Sequence, residues 1–449
     1  MKWIRKDVFN LAMPIMTEQL FVISLGMINT MMAGHIGKEA VSAIGMVDSI
    51  NNIFIAFFSA LAIGGMVVVA QFIGQGNIKK ANEAMKQALF SGLIITFILT
   101  IMMFLLKGPI INALFGGADP EVIRNAHTYL RVTLLTYPLI TIDLIANGLL
   151  RGAGDTKTPM KISIFMNIIN VSLTYTFINI LHLGIMGAAL GIAIARVSGG
   201  ILIIVVLIRG SKILKLTNIK KFKFDKSLLK LVFGIGVPAS IESLVFNGGK
   251  LITQVFIVNM GTIAIAANAI AGSVATMLNV PGNSLCIAAT ALVGRYMGRN
   301  DTVEAEKSLS YITKLSTIAL IIIAAVFIPF APNVVSLFTT NKEIIHLTAI
   351  VLIVNSACIP IWSISFVLPA GLKGAGDVKY TLVTAIIGMW LFRITLGYLL
   401  GVVLKFGLVG VWVGMIVDWL VRGTLYLIRF KKGKWKNKTV IKMQASSSN

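Results

Sequence analysis

Apolar positions in this chain run on in long stretches instead of alternating. In the first half the stretches cover roughly Leu11–Ala33, Ile50–Ile73, Ala88–Leu106, Leu130–Leu150, Met160–Leu181 and Gly184–Ile208. In the second half they cover Leu228–Asn247 continuing to Val258, then Ala264–Leu285, Ile312–Phe330, Ala349–Leu368, Thr381–Leu404 and Leu408–Ile428. A run of about 20 apolar residues carries a helix across the ~30 Å hydrocarbon core of a bilayer. Strands are shorter and bounded by turn residues, so these runs are too long and too continuous for a sheet. The pattern predicts an all-α integral membrane protein with twelve transmembrane helices.

The pattern is written twice. Leu150-Arg151-Gly152-Ala153-Gly154-Asp155 returns 222 residues later as Leu372-Lys373-Gly374-Ala375-Gly376-Asp377. Pro14 is followed by Glu18, Gly37, Gly74 and Ala81, and Pro238 is followed at the same four spacings by Glu242, Gly261, Gly298 and Ala305. A repeat of this kind in an apolar chain predicts two pseudo-symmetric six-helix lobes with a cavity between them, the plan of many secondary transporters. An even number of helices per half starts both halves on the same side of the membrane, so the repeats are parallel. The expected division is an N-lobe over 1–208, a cytoplasmic basic linker over 209–227, a C-lobe over 228–430 and a basic, polar cytoplasmic tail over 431–449. The first helix is long and leads straight into more membrane, which is not the form of a cleaved signal peptide.

Composition agrees: 57% of the 449 residues are hydrophobic and 13% are charged. A soluble chain carries about a quarter charged residues. Charge then sets orientation. Lys2, Arg5 and Lys6 precede the first helix, Arg209 to Lys226 fills the connector, and Arg429 to Lys438 follows the last helix. Lys79, Lys80, Lys86, Arg151, Lys157, Arg295, Arg299, Lys373 and Lys379 lie in loops after even-numbered helices, whereas the opposite loops hold little beyond Lys38, Lys107, Arg124, Lys342 and Lys405. The positive-inside rule places both termini and the connector in the cytoplasm of a multi-pass protein of the cell membrane. The net charge of +23 is therefore a topology signal with attraction to anionic membrane lipids, and not the mark of a nucleic-acid partner.

Several chemistries drop out. The chain has no Gly-x-x-x-x-Gly-Lys-Ser/Thr phosphate cradle, and Gly152-Ala153-Gly154 follows no strand. His35, His127, His182 and His346 lack zinc-ligand spacing, and Cys286 and Cys358 sit in apolar helices as core residues. No nucleophile–base or metal constellation for an intramembrane enzyme is visible. Energy for transport must then come from an ion gradient, and ionisable residues at membrane depth are the candidates to sense it. Glu18 lies about ten residues inside the first helix, roughly 15 Å deep at 1.5 Å per residue. Glu242 takes the equivalent place in the seventh helix. An unpaired carboxyl there favours its neutral form, as a proton carrier needs; a permanently protonated carboxyl gluing helices together is the bland alternative.

Asp143 in the fourth helix is the third candidate, and its counterpart in the second half is Ser365. Lys250 is expected to pair with an acid or to snorkel. Asp418 is expected to pair with Arg422 one turn on, Asp48 to be structural, and Arg196 and Arg393 to tie helices together within each lobe. Asn29, Asn147, Asn167, Asn170, Thr174 and Tyr175 form a polar row expected to line a wet substrate cavity, with interhelical hydrogen bonding as the alternative. Pro14 and Pro238 are expected to allow kinks beside the two glutamates.

The doubled Leu-Arg/Lys-Gly-Ala-Gly-Asp signature, Met31-Met32-Ala33-Gly34-His35-Ile36-Gly37, and Ala291-Leu292-Val293-Gly294-Arg295-Tyr296-Met297-Gly298 together resemble the multidrug and toxic compound extrusion (MATE) family over essentially the whole chain. The resemblance implies two six-helix lobes in a V and rocker-switch alternating access. It implies antiport of small organic, often cationic, substrates against H⁺ or Na⁺, with no other cofactor and in a monomer. Acids that many members carry align with Asn29, Thr174, Phe246 and Trp362 here, while Glu18 and Glu242 resemble a variant pattern with acids four residues after the helix prolines. The reading is H⁺ coupling through Glu18, Glu242 and Asp143, with Na⁺ second. A lipid-linked oligosaccharide flippase of the related two-lobe exporter class is the alternative function.

Overall fold

A computed structural model of the chain describes residues 2–34, 36–217 and 219–441. His35 and the polar end Ser446–Asn449 lie outside the described residues. The described residues are overwhelmingly helical, and none forms a strand. Among the described residues nine helices are long and apolar enough to cross a membrane, and counting each of three bent pairs as one span gives twelve.

In the first half these are α1 (Lys2–Gly34), α2 (Lys38–Gly74), α3 (Ile78–Phe115), α4 (Pro120–Leu135 and Tyr137–Gly152), α5 (Lys157–Ile180) and α6 (Gly184–Arg209). In the second half they are α7 (Lys226–Val258), α8 (Thr262–Leu278 and Val280–Gly298), α9 (Thr302–Ser336), α10 (Lys342–Ala357 and Ile359–Ala375), α11 (Val378–Val403) and α12 (Gly407–Lys431). The helices outrun the apolar stretches at both ends, because a backbone at the membrane surface still satisfies its hydrogen bonds most cheaply as helix. Lipid-facing residues are large and apolar, as at Ile98, Ile101 and Leu105 of α3.

The sharp bends are not at Pro14 and Pro238, through which α1 and α7 run as continuous helices. They lie in α4, α8 and α10, at 53°, 51° and 56°. Each bend is followed at once by proline in the first turn of the next arm: Pro138, Pro281 and Pro360. Proline is tolerated there because the first N–H groups of a helix have no intrahelical acceptor. At the α4 bend the Thr136 hydroxyl donates to Thr133 O at 2.6 Å and accepts from Arg196 Nη1 at 3.2 Å, which replaces part of the broken ladder.

The chain packs as two compact units. The N-unit comprises Thr17–Val69 and Asn77–Gly236; the C-unit comprises Met1–Met16, Ala70–Gly76 and Val237–Asn449. Backbone geometry repeats between them. Left-handed residues recur as Gly154 and Gly376 (φ 83° and 98°), Gly76 and Asn300 (75° and 59°), and His182 and Lys405 (50° and 59°). The glycine before each doubled Ala-Gly-Asp also repeats its role. A Cβ on Gly152 would collide with Met66 O, and one on Gly374 would collide with Thr290 O, so only glycine permits these close helix crossings.

The basic segment after α12 is packed as far as Ile441. Trp435 is fully buried, stacks on Phe430 and donates to Phe430 O at 3.1 Å. Gln71 bridges Gly374 O and Val440 N at 3.1 Å each, and Lys436 pairs with Glu306 at 2.5 Å.

Candidate ion-coupling and substrate sites

The two doubled motifs meet in space. In the N-unit, Arg151 Nη2 reaches both Glu18 carboxylate oxygens at 2.8 Å. In the C-unit, Lys373 Nζ reaches Glu242 Oε1 at 2.7 Å, and the Thr381 hydroxyl donates to Glu242 Oε2 at 3.3 Å. Glu18 and Glu242 are therefore not the isolated carboxyls that their depth suggested. Each is held by the cation of the Gly-Ala-Gly-Asp signature of its own unit, which offsets the cost of burying either charge alone.

The surroundings of the two pairs differ. Asp143, Asn147 and Arg151 are spaced i, i+4, i+8 on the second arm of α4 and so share one helix face. Asn147 Nδ2 donates to Asp143 Oδ2 at 3.0 Å. Asp143 Oδ1, Asn147 Oδ1 and the nearby Thr141 hydroxyl are buried with no partner among the described residues. The N-unit thus buries two carboxylates beside one guanidinium. At the Asp143 position the C-unit has Ser365, whose hydroxyl donates to Trp419 O.

Each unit also holds a cavity that is partly open to its surroundings. That of the N-unit has a volume of about 510 Å³. Asn29 of α1, Asp48, Asn51 and Asn52 of α2, Asn167, Asn170 and Thr174 of α5, and Arg196 of α6 supply its polar lining. Asn51 bridges Tyr137 Oη at 2.7 Å and Asp48 Oδ1 at 3.2 Å, and the Thr174 hydroxyl donates to Asn170 Oδ1 at 3.3 Å. Four of the six residues in the polar row reach this cavity. Asn147 instead serves Asp143. Tyr175 is 54% exposed, because one residue past Thr174 turns the side chain about 100° around the helix. Asp48, expected to be structural, stands in the cavity wall, as does Arg196, which also ties α6 to α4 through the Thr136 hydroxyl as expected of it.

The C-unit cavity, about 500 Å³, is built from α7, α8, α10, α11 and α12. Its wall holds Phe246, Lys250, Trp362, Phe366, Arg393, Trp412 and Trp419, with Asn268, Asn279, Asn283 and Asn355 as amides. Lys250 neither pairs with an acid nor snorkels: it lies over the Phe246 ring at 4.8 Å, with no carboxylate in ion-pair range among the described residues. Asp418 pairs with Arg422 as expected, through two bonds of 2.6 and 2.9 Å. Cys286 and Cys358 are both free.

A helical bundle with an ion pair and a cavity in each unit is a build that membrane transporters share. The chain belongs to the MatE family, whose sequence model matches residues 14–176 and 238–399 and so covers each half once. It is similar to a probable multidrug resistance protein, NorM, of Thermotoga maritima: 28% identity, covering 98% of this chain and 94% of that protein. It is also similar to the uncharacterized transporter YisQ of Bacillus subtilis, at 27% identity over 96% of this chain and 95% of that one. Among solved structures, an outward-facing multidrug resistance MATE family transporter of the MOP superfamily superposes with a TM-score of 0.87 at 22% identity, over 96% of this chain and 95% of that one. That likeness extends the family assignment to the fold.

Proposed function

We propose that the protein is a proton-coupled efflux antiporter of the cell membrane that exports small organic, often cationic, compounds by alternating access. The observation that carries the coupling ion is the N-unit cluster, in which Arg151 bonds Glu18 and the buried Asp143 lies within electrostatic reach of both without a bond to the guanidinium. Two buried acids against one fixed cation leave one excess negative charge, which one proton neutralises. The C-unit supports H⁺ over Na⁺ as well: Phe246 and Trp362 stand where sodium-type acids would align, and Lys250 and Arg393 would repel a hard cation.

In this reading the acids of the cluster and the substrate do not compete for one atom. Asp48 in the cavity wall offsets substrate charge, while Glu18 lies elsewhere on α1, the helix that also brings Val22, Gly26 and Asn29 to the cavity. Protonation that loosens the Glu18–Arg151 pair shifts that wall, so proton and substrate bias the same helix. Cytoplasmic termini, contact with anionic lipid and a monomeric state complete the proposal.

The test is uptake of ethidium into proteoliposomes with a pH gradient and a Na⁺ gradient imposed separately. Uptake driven by the pH gradient, lost in Glu18→Gln and Asp143→Asn but kept in Glu242→Gln, is the expected result. Uptake driven by Na⁺ alone, or unchanged in the N-unit variants, removes the proton assignment. No cation transport under either gradient turns the reading toward lipid-linked cargo.

A further inference from the structure

The C-unit cavity concentrates positive charge around aromatic rings. Lys250 Nζ lies 4.8 Å from the centre of Phe246, the Arg393 guanidinium 5.6 Å and the Arg422 guanidinium 5.7 Å. Asp418 is the acid paired here, and Arg422 already holds both of its oxygens. Lys250 and Arg393 face the cavity over ring faces, with no carboxylate in ion-pair range of either among the described residues; Asp418, already bonded to Arg422, attracts Arg393 only at longer range. A ring quadrupole compensates a cation only in part, on the order of 0.5–2 kcal/mol.

The rest of the wall is made for a flat, apolar body. Trp362 stacks on Phe366 at 4.6 Å, and Phe366 meets Phe246 and Trp419 edge-on at 6.3 Å each. Buried Asn355 has neither side-chain atom partnered among the described residues, and the Trp419 indole N–H is likewise unpartnered. Buried polar groups are normally satisfied, so two free buried donors beside two cations with no carboxylate in ion-pair range mark a place for an acceptor-rich ligand. Arg393 itself stands on a π-helical stretch, Ile387–Ile394, a local widening of α11 that is frequent at functional sites. The corresponding stretch of α5 is ordinary α-helix and carries no arginine.

We infer that the C-unit cavity is a binding site for small aromatic organic anions, with Lys250 and Arg393 holding the anionic group and the Phe246–Trp362–Phe366–Trp419 cluster holding the ring. A volume of about 500 Å³ suits a ligand of drug size. The inference goes beyond efflux of cations and stands or falls by equilibrium binding, whatever drives transport.

The experiment is isothermal titration of the full-length protein in non-ionic detergent with three probes of one shape: 2-naphthoate, 2-naphthylmethanol and 2-naphthylmethylammonium. Naphthoate is expected to bind at least tenfold more tightly than the other two. Lys250→Gln and Arg393→Gln are each expected to weaken it about tenfold, Lys250→Arg to retain it, and Arg196→Gln in the other cavity to leave it unchanged. Thermal unfolding of each variant establishes that it is folded, and Asn355→Ala, which changes no charge, gives a second route, with a several-fold loss expected. Equal binding of the three probes, a preference for the ammonium probe, or naphthoate binding that survives the double Lys250→Gln/Arg393→Gln variant overturns the inference. So does loss of binding in Arg196→Gln, which would place the anion in the N-unit.

Discussion

The two cavities occupy matching stretches of the repeat yet carry opposite chemistry. In the register that sets Pro14 on Pro238, Val22 corresponds to Phe246, Gly26 to Lys250, Asn29 to Thr253 and Asp48 to Gly272, and all eight residues line their own cavity. Duplication therefore preserved the wall positions and changed what stands on them. The N-unit cavity wall carries one acid and one arginine, Asp48 and Arg196. Its counterpart has Gly272 where the acid stands, Lys250 in place of Gly26, and Arg393 on α11. The ion pairs behave the other way: glutamate four residues after proline meets the signature cation in both units. The backbone frame and the ion pairs are the conserved machinery, and the cavity charge is what the halves were free to vary.

The largest effect should come from breaking the shared element. Glu18→Ala leaves Arg151 buried without its carboxylate, at a cost of about 3–5 kcal/mol. Glu242→Ala should cost less, because the lysine left behind can reach out on its flexible stem, whereas the planar guanidinium of Arg151 was fixed by both Glu18 oxygens. Replacing both partners of either pair by methionine should cost less than either single truncation. Thermal unfolding in detergent of the singles and doubles checks the order; a double as damaging as its single would show that the pairs act through packing alone.

Next is the residue that separates the two pairs. Asp143→Asn keeps the shape and removes the second acid, so proton-driven flux should fall about thirtyfold, equivalent to about 2 kcal/mol. Stability should hold or rise slightly, since a buried excess charge is gone. The reciprocal Ser365→Asp should not create a second proton site. It breaks the Ser365–Trp419 bond and buries a new carboxylate, so lowered yield and melting temperature are expected in its place.

Much of this was legible in the residues. The twelve apolar runs gave the spans, and the doubled signature gave the two halves. The bends at Thr136, Asn279 and Cys358 were not, because apolar residues continue through them; the signal was a proline two residues on in each case. Glu18 and Arg151 were each visible as motif residues, but 133 positions apart nothing local joins them. The repeat carried the clue, since two motifs that recur at nearly one offset belong to one frame. Asn167, Asn170 and Thr174 fell on one helix face and reached the cavity together, whereas Tyr175 and Asn147 were grouped by composition, which carries no direction. The C-unit cavity was missed because Lys250 and Arg393 lie on different helices and were read separately, one as pairing with an acid or snorkelling and the other as tying helices together.

The crossing glycines probe what duplication could not vary. Gly152→Ala and Gly374→Ala each drive a methyl group into a backbone carbonyl of a neighbouring helix, and backbone cannot yield as a side chain can. Each should destabilise by about 1–3 kcal/mol, and the two should match, because the clash is the same. Unequal melting shifts would mean that one crossing is looser than its geometry implies.

The smallest expected change is the most direct test of the comparison. Gly272 of α8 lines the C-unit cavity, and a Cβ added there meets nothing within 4 Å, so Gly272→Asp restores the acid that the N-unit carries as Asp48 without a clash. Aspartate is also no worse than glycine inside a helix. If Lys250 and Arg393 make the cavity anion-selective, the new carboxylate should take one of them as partner. Naphthoate affinity should then fall about tenfold, or about 1.4 kcal/mol, and the ammonium probe should gain by a similar factor. The effect is modest because the cavity is open and solvent weakens the interaction. A lowered naphthoate affinity with no gain for the ammonium probe would mean that the aspartate merely fills space. A change in both, in opposite senses, would mean that one residue of the duplicated wall sets the sign of what each half can hold.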